Sequence, residues 1–146
     1  MTKANLPPNY RPSDDESYMN ENHLEYFRQK LEAWRSDLIE ESNKTLSHLR
    51  EENHNISDPN DQATEETERA YELRTRDRYR KLIVKIDEAL ERIKIGEYGY
   101  CEDTGKKIGL KRLEARPVAT LCIEAQERHE NYENTHADEE KLSTNP

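Results

Sequence analysis

Two long segments with a helical repeat of apolar residues, separated by a short break, constrain the fold of this chain most strongly. They span residues 20–53 and 59–95, and neither contains an internal glycine or proline. In the first segment, apolar residues recur at alternating steps of three and four, which is the seam of a coiled coil: Leu24, Phe27, Leu31, Trp34 and Leu38. The second segment has a similar apolar repeat, so we predict two long α-helices.

The break between the segments, "NHNISDPND", decides how the two helices pair. If the chain folds back there, apolar residues face apolar residues along the whole length: Leu49 and Ala63, Ile39 and Leu73, Phe27 and Ile86, Leu24 and Leu90. This agreement predicts an antiparallel coiled-coil hairpin with arms of about 45 Å. The paired residues become smaller towards the break, so we expect a firmly packed base and a slim, weakly packed tip.

The remaining parts of the chain are short. Residues 96–109 hold all four glycines, which predicts tight turns and a short hairpin, and residues 119–130 predict a last short helix after Pro117. We therefore predict a mainly α fold, in which a small α+β globule with a C-terminal helix follows the coiled coil. The predicted parts are a mobile N-terminal arm (1–17), the coiled coil (18–95) with its tip near 56–63, the globule (96–130) and a polar tail (131–146).

Composition excludes several functions. Only 32% of the residues are hydrophobic and 38% are charged, and the net charge of −9 argues against a general DNA-binding protein. No apolar run approaches the ~20 residues of a membrane span, and the N-terminus lacks a signal peptide. We therefore expect a cytoplasmic protein whose two cysteines stay reduced. Neither a Gly-rich phosphate loop nor a nucleophile with a paired base is visible, so we predict that the chain is not an enzyme.

Three groups of residues could have a function, and the first lies at the tip. Asp58, Pro59 and Asp61 suit the N-cap, N1 and N3 positions of the second helix, so they could serve only to start it. The alternative is that the slender hairpin carries two carboxylates to a metal ion or to basic groups of a partner. The two roles are compatible, because a cap orients the residues that it caps.

The second group is a row of cations in an acidic protein. Arg74, Arg78, Lys81 and Lys85 follow one another at steps of four, three and four, so they share one face of the second helix. The row could be a solvated face that nearby acids neutralise. It could also bind an acidic helix or a phosphorylated ligand.

The third group is half of a metal site. Cys101 and Cys122 each begin a step of three residues, but the second positions hold Thr104 and Ala125, which are not zinc ligands. His129, one helical turn after Ala125, could replace a missing ligand. Alternatively, the cysteines pack as small apolar side chains in a degenerate zinc-finger-like globule that holds no metal.

Several stretches, taken together, resemble a known family: "YMNENHLEYFRQKLEAWR", "DPNDQATEE", "ELRTRDRYRKLIVKIDEALERI", "GEYGYCEDTG" and "IGLKRLEARPVATLCIEA". They are similar, in order and over residues 18–129, to the DksA family of bacterial transcription factors. The resemblance implies a monomer that binds RNA polymerase rather than DNA and inserts its coiled coil into the secondary channel. There it would alter the stability of promoter open complexes together with ppGpp, in the stringent response.

The resemblance also implies roles for individual residues. The implied sites are the coiled-coil tip (Asp58, Asp61, Ala63), the polymerase-binding residues (Arg74, Arg78, Leu82) and the ppGpp-binding residues (Lys85, Arg116). A third basic position of the family holds Gln126 here. Typical members bind zinc through four cysteines, whereas this chain has Cys101, Thr104, Cys122 and Ala125 at those positions. It resembles the zinc-independent variants, so we expect no tightly bound cofactor.

Two other functions remain open. A GreA-like transcript-cleavage factor also carries acidic residues on a coiled-coil tip, but that family lacks the "CEDTG…RLEARP…LCIEA" globule. A structural coiled-coil adaptor would not contact the polymerase at all. A cleavage assay on backtracked complexes and a polymerase pull-down distinguish these alternatives.

Overall fold

The computed structural model describes residues 4–51 and 59–143. It contains four helices: α1 (Glu21–Glu51), α2 (Pro59–Ile95), α3 (Leu110–Ala115) and α4 (Ile123–Ser143). The described residues contain no strand longer than the single antiparallel bridge between Tyr100 and Lys107. The predicted mainly α class is confirmed, while the predicted short hairpin is reduced to this bridge.

The chain forms two compact units. The first contains Met1–Tyr26 and Arg92–Pro146, and the second contains Phe27–Glu91. The division falls within α1 and α2, because each of these helices contributes residues to both units.

The second unit is an antiparallel helical hairpin. Arg35 Nε lies 2.7 Å from Asp87 Oδ1, and His48 Nδ1 lies 2.9 Å from Glu72 Oε1. A later residue of α1 therefore pairs with an earlier residue of α2, which confirms the predicted direction. The numbers of the two partners add up to 122 and 120, against 112–114 for the predicted apolar pairs. The two ion pairs therefore confirm the direction of the pairing but not its predicted register.

Buried side chains of the second unit lie at one end of the hairpin. They come from both helices: Phe27, Leu31, Leu38, Ile86 and Ala89. No residue in 39–48 or in the described side chains of 62–85 is buried. The predicted thinning of the core towards the tip is confirmed for these residues.

Individual seam positions depart from the prediction. Leu73, which is predicted to pack on Ile39, is 44% exposed, and Ala63 is also exposed. Trp34 is only half-buried, whereas Ala89, which the apolar repeat did not single out, is buried. Small residues fit the close approach of two helices better than an indole does, so residue size decides burial here as much as periodicity.

The first unit has its own apolar core around the turns between α2 and α4. Its buried apolar residues are Ile93, Tyr98, Cys101, Ile108, Leu110, Leu113, Val118, Ala119, Cys122 and Ala125. The hydroxyl of Tyr98, which is 1% exposed, donates a hydrogen bond of 2.7 Å to the carbonyl oxygen of Pro117. This bond joins the turn after α2 to the turn after α3.

The N-terminal segment makes specific contacts in the first unit that the sequence does not predict. The Tyr18 hydroxyl donates to the Gly99 carbonyl at 2.7 Å and accepts from the Gly109 N–H at 2.8 Å. Gly99 has φ of 90°, and a Cβ there would lie 2.7 Å from Met19 Cγ. Glycine is therefore required at position 99 for conformation and for space.

A second contact of this segment is centred on Glu16. Its carboxylate accepts the Tyr10 hydroxyl at 2.7 Å and lies 3.2 Å from Nε2 of the fully buried His23. Because His23 Nδ1 accepts the N–H of Met19, the neutral ring carries its proton on Nε2 and donates it to Glu16. The hydrogen bond from Tyr10 is the main cause that lowers the pKa of Glu16 to about 2.

The last helix is longer than predicted. α4 covers 21 residues, from Ile123 to Ser143, whereas the sequence predicts a helix that ends near residue 130. Residues 127–137 are all exposed, so no apolar face reveals this helix in the sequence. Among the described residues, no helix combines the length and the apolar character that crossing a membrane requires.

Candidate functional site

The predicted basic row on α2 is a continuous exposed surface, called here the basic face and consisting of Arg74, Arg78, Lys81 and Lys85. None of the four forms an ion pair with any residue that the structure describes. The alternative of a face neutralised by nearby acids is therefore not supported within the described part of the chain. The basic face can accept anionic groups without breaking an internal ion pair.

A cavity of about 350 Å³ lies at one end of the basic face. It is lined by Tyr71, Arg74, Thr75 and Arg78. Tyr71 is 66% exposed. The lining therefore offers an accessible aromatic ring, the hydroxyls of Tyr71 and Thr75, and the guanidinium groups of Arg74 and Arg78. This combination suits a carboxylate or phosphate carried on a partly apolar partner. Tyr71 and Thr75 were missed in the sequence, because neither is charged.

The other residues that the resemblance implies are distributed over both units. Leu82 is half-buried on α2, in the same unit as Lys85. Arg116 is exposed at the end of α3, in the other unit. Gln126, also in that unit, donates through Nε2 to Glu130 Oε1 at 3.1 Å.

Only part of the predicted tip lies in the described residues. Ala63 is exposed in the first turns of α2, and Pro59 is the first helical residue, as its N1 assignment predicts. Asp58 lies outside the described residues, and so does the side chain of Asp61. The tip therefore stays a prediction.

The structure brings together three of the four positions of the half metal site. Cys101 and Cys122 are buried free thiols. Thr104 Oγ lies 3.8 Å from Cys122 Sγ, and either atom can be the donor. Ala125 is fully buried. The group is called here the Cys–Thr cluster and consists of Cys101, Thr104 and Cys122.

The surroundings of Cys101 change the pKa of its thiol. Burial raises the pKa, but hydrogen bonding by the Thr104 hydroxyl and by the backbone N–H groups of Cys122, Thr104 and Asp103 outweighs burial and lowers the pKa to about 6.

The residues of this cluster do not fit a structural zinc ion. Such a site needs four good ligands in a tetrahedral arrangement, and the four positions here supply two sulfurs, one hydroxyl and one methyl group. His129, the possible substitute, directs Nε2 to Asp103 Oδ2 at 2.6 Å. Among the residues described, no group of three or more His, Cys, Asp or Glu side chains could hold a metal ion.

Two protein-family models match the chain. Residues 23–93 match "DnaK suppressor protein DksA, N-terminal domain", and residues 96–131 match "Prokaryotic dksA/traR C4-type zinc finger". The boundary between the two matches coincides with the end of α2. The second model describes a zinc finger with four cysteines, and this chain contains two cysteines, Cys101 and Cys122.

Similar proteins are found by sequence and by structure. A Caulobacter vibrioides protein named RNA polymerase-binding transcription factor DksA is 60% identical over 130 residues, which cover 89% of this chain and 92% of the relative. The Escherichia coli protein of the same name is 48% identical over 80% of this chain and 78% of the relative. The structure of transcription factor DksA2 from Pseudomonas aeruginosa is 44% identical, has a TM-score of 0.75, and is matched over 80% of this chain and 90% of that one. The chain belongs to the DksA family.

Proposed function

We propose that this protein binds RNA polymerase directly and regulates transcription. The observation that carries the proposal is the 60% identity, over nearly the whole of both chains, to a protein named for polymerase binding. The basic face supports it, since its four cations, which form no ion pair with the described residues, can dock on an acidic surface of a large partner. The net charge of −9 is consistent with a partner other than DNA.

The proposed mechanism places the hairpin in the secondary channel of the polymerase. Arg74, Arg78 and Leu82 would hold the rim of the channel, and Asp58 and Asp61 would act near the active site. The narrowing of the hairpin core beyond residue 38 supports this, because a narrow channel requires a slim probe. The result would be a change in open-complex stability at promoters.

We also propose that ppGpp acts as a co-effector at the polymerase interface. Lys85 and Arg116 are exposed cations at the positions that the resemblance assigns to the nucleotide. The third position holds Gln126, whose amide is neutral and engaged with Glu130. One charge-assisted hydrogen bond to phosphate is worth about 1.5–3 kcal/mol, so a weaker ppGpp response than in relatives with a cation there is expected.

We further propose that the globule folds without zinc, in a monomer that works in the cytoplasm. The support is the donor set: a threonine hydroxyl and an alanine methyl stand at two of the four ligand positions. Thr104 Oγ, 3.8 Å from Cys122 Sγ, is a hydrogen-bond partner for that sulfur.

The test is a pull-down of core polymerase followed by transcription in vitro from a ribosomal promoter, with and without ppGpp. We expect binding, inhibition of that promoter, and stronger inhibition with ppGpp. Arg78→Ala should weaken binding, whereas Arg80→Ala, an equal loss of charge on another face of α2, should not. Failure to recover the protein with polymerase would refute the proposal, and rapid shortening of backtracked RNA would favour the cleavage-factor alternative.

A further inference from the structure

The hydroxyl of Tyr18 joins the two ends of the segment 99–109. It donates to the Gly99 carbonyl at 2.7 Å and accepts the Gly109 N–H at 2.8 Å. The Gly99 carbonyl also accepts the Ile108 N–H at 2.8 Å, so this oxygen has two donors. One side chain from the segment before α1 is therefore part of the hydrogen bonding of the globule.

The segment before α1 fixes the direction of Tyr18. The side-chain oxygen of Asn20 accepts the His23 N–H at 2.8 Å, which caps α1, and the Asn20 N–H donates to the Ser17 carbonyl at 3.1 Å. Between them, Met19 has φ of 55° and donates its N–H to His23 Nδ1 at 3.2 Å. Non-glycine residues rarely adopt this conformation, so it persists only because the surrounding contacts hold it.

The ring of Tyr18 has contacts of its own. It packs edge to face on the Tyr100 ring with centroids 5.6 Å apart, and Lys107 Nζ lies 5.2 Å from its centroid. Tyr100 and Lys107 are the two residues of the antiparallel bridge. Removal of the hydroxyl alone therefore leaves the ring supported, which separates the effect of its two hydrogen bonds from the effect of packing.

Gly109, the donor to Tyr18, is also the residue from which α3 starts. It is the N-cap of α3, and its carbonyl accepts the Leu113 N–H at 3.1 Å. The helix has only six residues, and its C-cap is Arg116, whose N–H donates to the Arg112 carbonyl at 2.8 Å. Because so short a hydrogen-bonded helix moves as one piece, a shift at Gly109 is passed on to Arg116.

We propose that Tyr18 is a positioning residue for Arg116, because its hydroxyl fixes the start of α3 and thereby the place of the guanidinium at the other end. The inference rests on the proposed role of ppGpp as a co-effector that Arg116 contacts. Hydrogen bonds between a guanidinium and a phosphate depend strongly on geometry. Since Gln126 offers no charge at the third basic position, the placement of Arg116 has a large share in the response to ppGpp.

The first test is amide hydrogen exchange, followed by NMR on the full chain. The Gly109 amide should be protected in the unmodified protein and should exchange about two- to tenfold faster in Tyr18→Phe. The matched control is Tyr100→Phe, which removes the other hydroxyl of the same ring pair and should leave the Gly109 amide unchanged. An unprotected Gly109 amide in the unmodified protein would overturn the inference, whether or not the variant folds.

The second test measures the response to ppGpp in transcription from a ribosomal promoter. Tyr18→Phe should raise the ppGpp concentration that gives half of the maximal effect by at least about twofold. Adding Tyr18→Phe to Arg116→Ala should cause no further loss, because Tyr18 acts through Arg116. Lys85 remains in all of these variants, so a residual response can be measured. Circular dichroism checks that each variant is folded.

The outcomes separate this inference from the proposed function. A normal response to ppGpp in Tyr18→Phe, or losses that add in the double variant, would overturn the positioning role and leave the co-effector proposal intact. An unmodified protein that does not respond to ppGpp would refute the co-effector proposal and, with it, the functional part of this inference. The exchange experiment would then still decide whether Tyr18 holds the start of α3.

Discussion

Removing the hydroxyl of Tyr98 should destabilise the globule measurably. The side chain is 1% exposed, and its hydroxyl donates to the Pro117 carbonyl at 2.7 Å. Burial raises the pKa of Tyr98, so the group remains a proton donor throughout the working range of the protein. Tyr98→Phe keeps the ring in place and leaves the carbonyl of the buried Pro117 without this donor.

The magnitude follows from the loss of one buried partner. A buried acceptor left without its donor costs about 1–3 kcal/mol. For a chain of this size each kcal/mol lowers Tm by roughly 2–4 °C, so Tm should fall by about 2–12 °C.

The assay is urea unfolding followed by far-ultraviolet circular dichroism, with calorimetry for Tm. The matched control is Tyr100→Phe. The Tyr100 ring packs edge to face on Tyr18 with centroids 5.6 Å apart, and its hydroxyl bonds to none of the described residues, so the loss of that hydroxyl should change little. Equal stabilities of Tyr98→Phe and the unmodified protein would refute the view that this hydrogen bond stabilises the globule.

Three further predictions concern titration and the tip. The pKa of Glu16 is lowered from 4.5 to about 2, so its contribution to stability is complete above pH 4.5 and is lost as the pH falls towards 2. Glu16→Gln should therefore make the urea midpoint less dependent on pH over that range, whereas Glu21→Gln, at an exposed position, should not. The Cys101 pKa of about 6, against the ordinary 9.0, predicts a thiolate absorbance that appears near pH 6 and is missing in Cys101→Ser; a midpoint near 9 would contradict the hydrogen-bonded thiolate. Its stabilising contribution is complete above pH 9 and is lost as the pH falls through 6. Asp61→Asn should abolish promoter regulation with polymerase affinity nearly unchanged, and an equal loss of binding in the same assays would show that the carboxylate is structural.

Much of the helical architecture could be predicted from apolar spacing and from breaks in the sequence. α2 begins at Pro59 and ends at Ile95, as predicted, because a proline suits the first turn and Gly96 follows the last. α4 could not be bounded in this way. Its second half has neither an apolar face nor a glycine or proline, so nothing in the sequence distinguishes it from a polar tail.

Contacts between distant residues account for most of what the sequence did not predict. Tyr10, Glu16 and His23 are ordinary residues of a polar segment, and only the fold brings the Tyr10 hydroxyl and the His23 ring to the Glu16 carboxylate, which also accepts the Ser13 N–H. Thr104 illustrates the same limit, because its type excludes a zinc ligand but does not indicate that its hydroxyl lies 3.8 Å from the sulfur of Cys122. The basic row was recognised because its spacing lies within a single helix.

The concentration of buried side chains at one end of the hairpin has a consequence for how its other part is maintained. Residues 39–48 and 62–85 have little apolar contact to stabilise them, so their helical state depends on backbone hydrogen bonds and a few charged pairs. Amide hydrogens there should exchange with deuterium sooner than those near Phe27 and Ile86. A partner that encloses this part of the hairpin should slow the exchange, because the partner would supply the contacts that the hairpin itself lacks there.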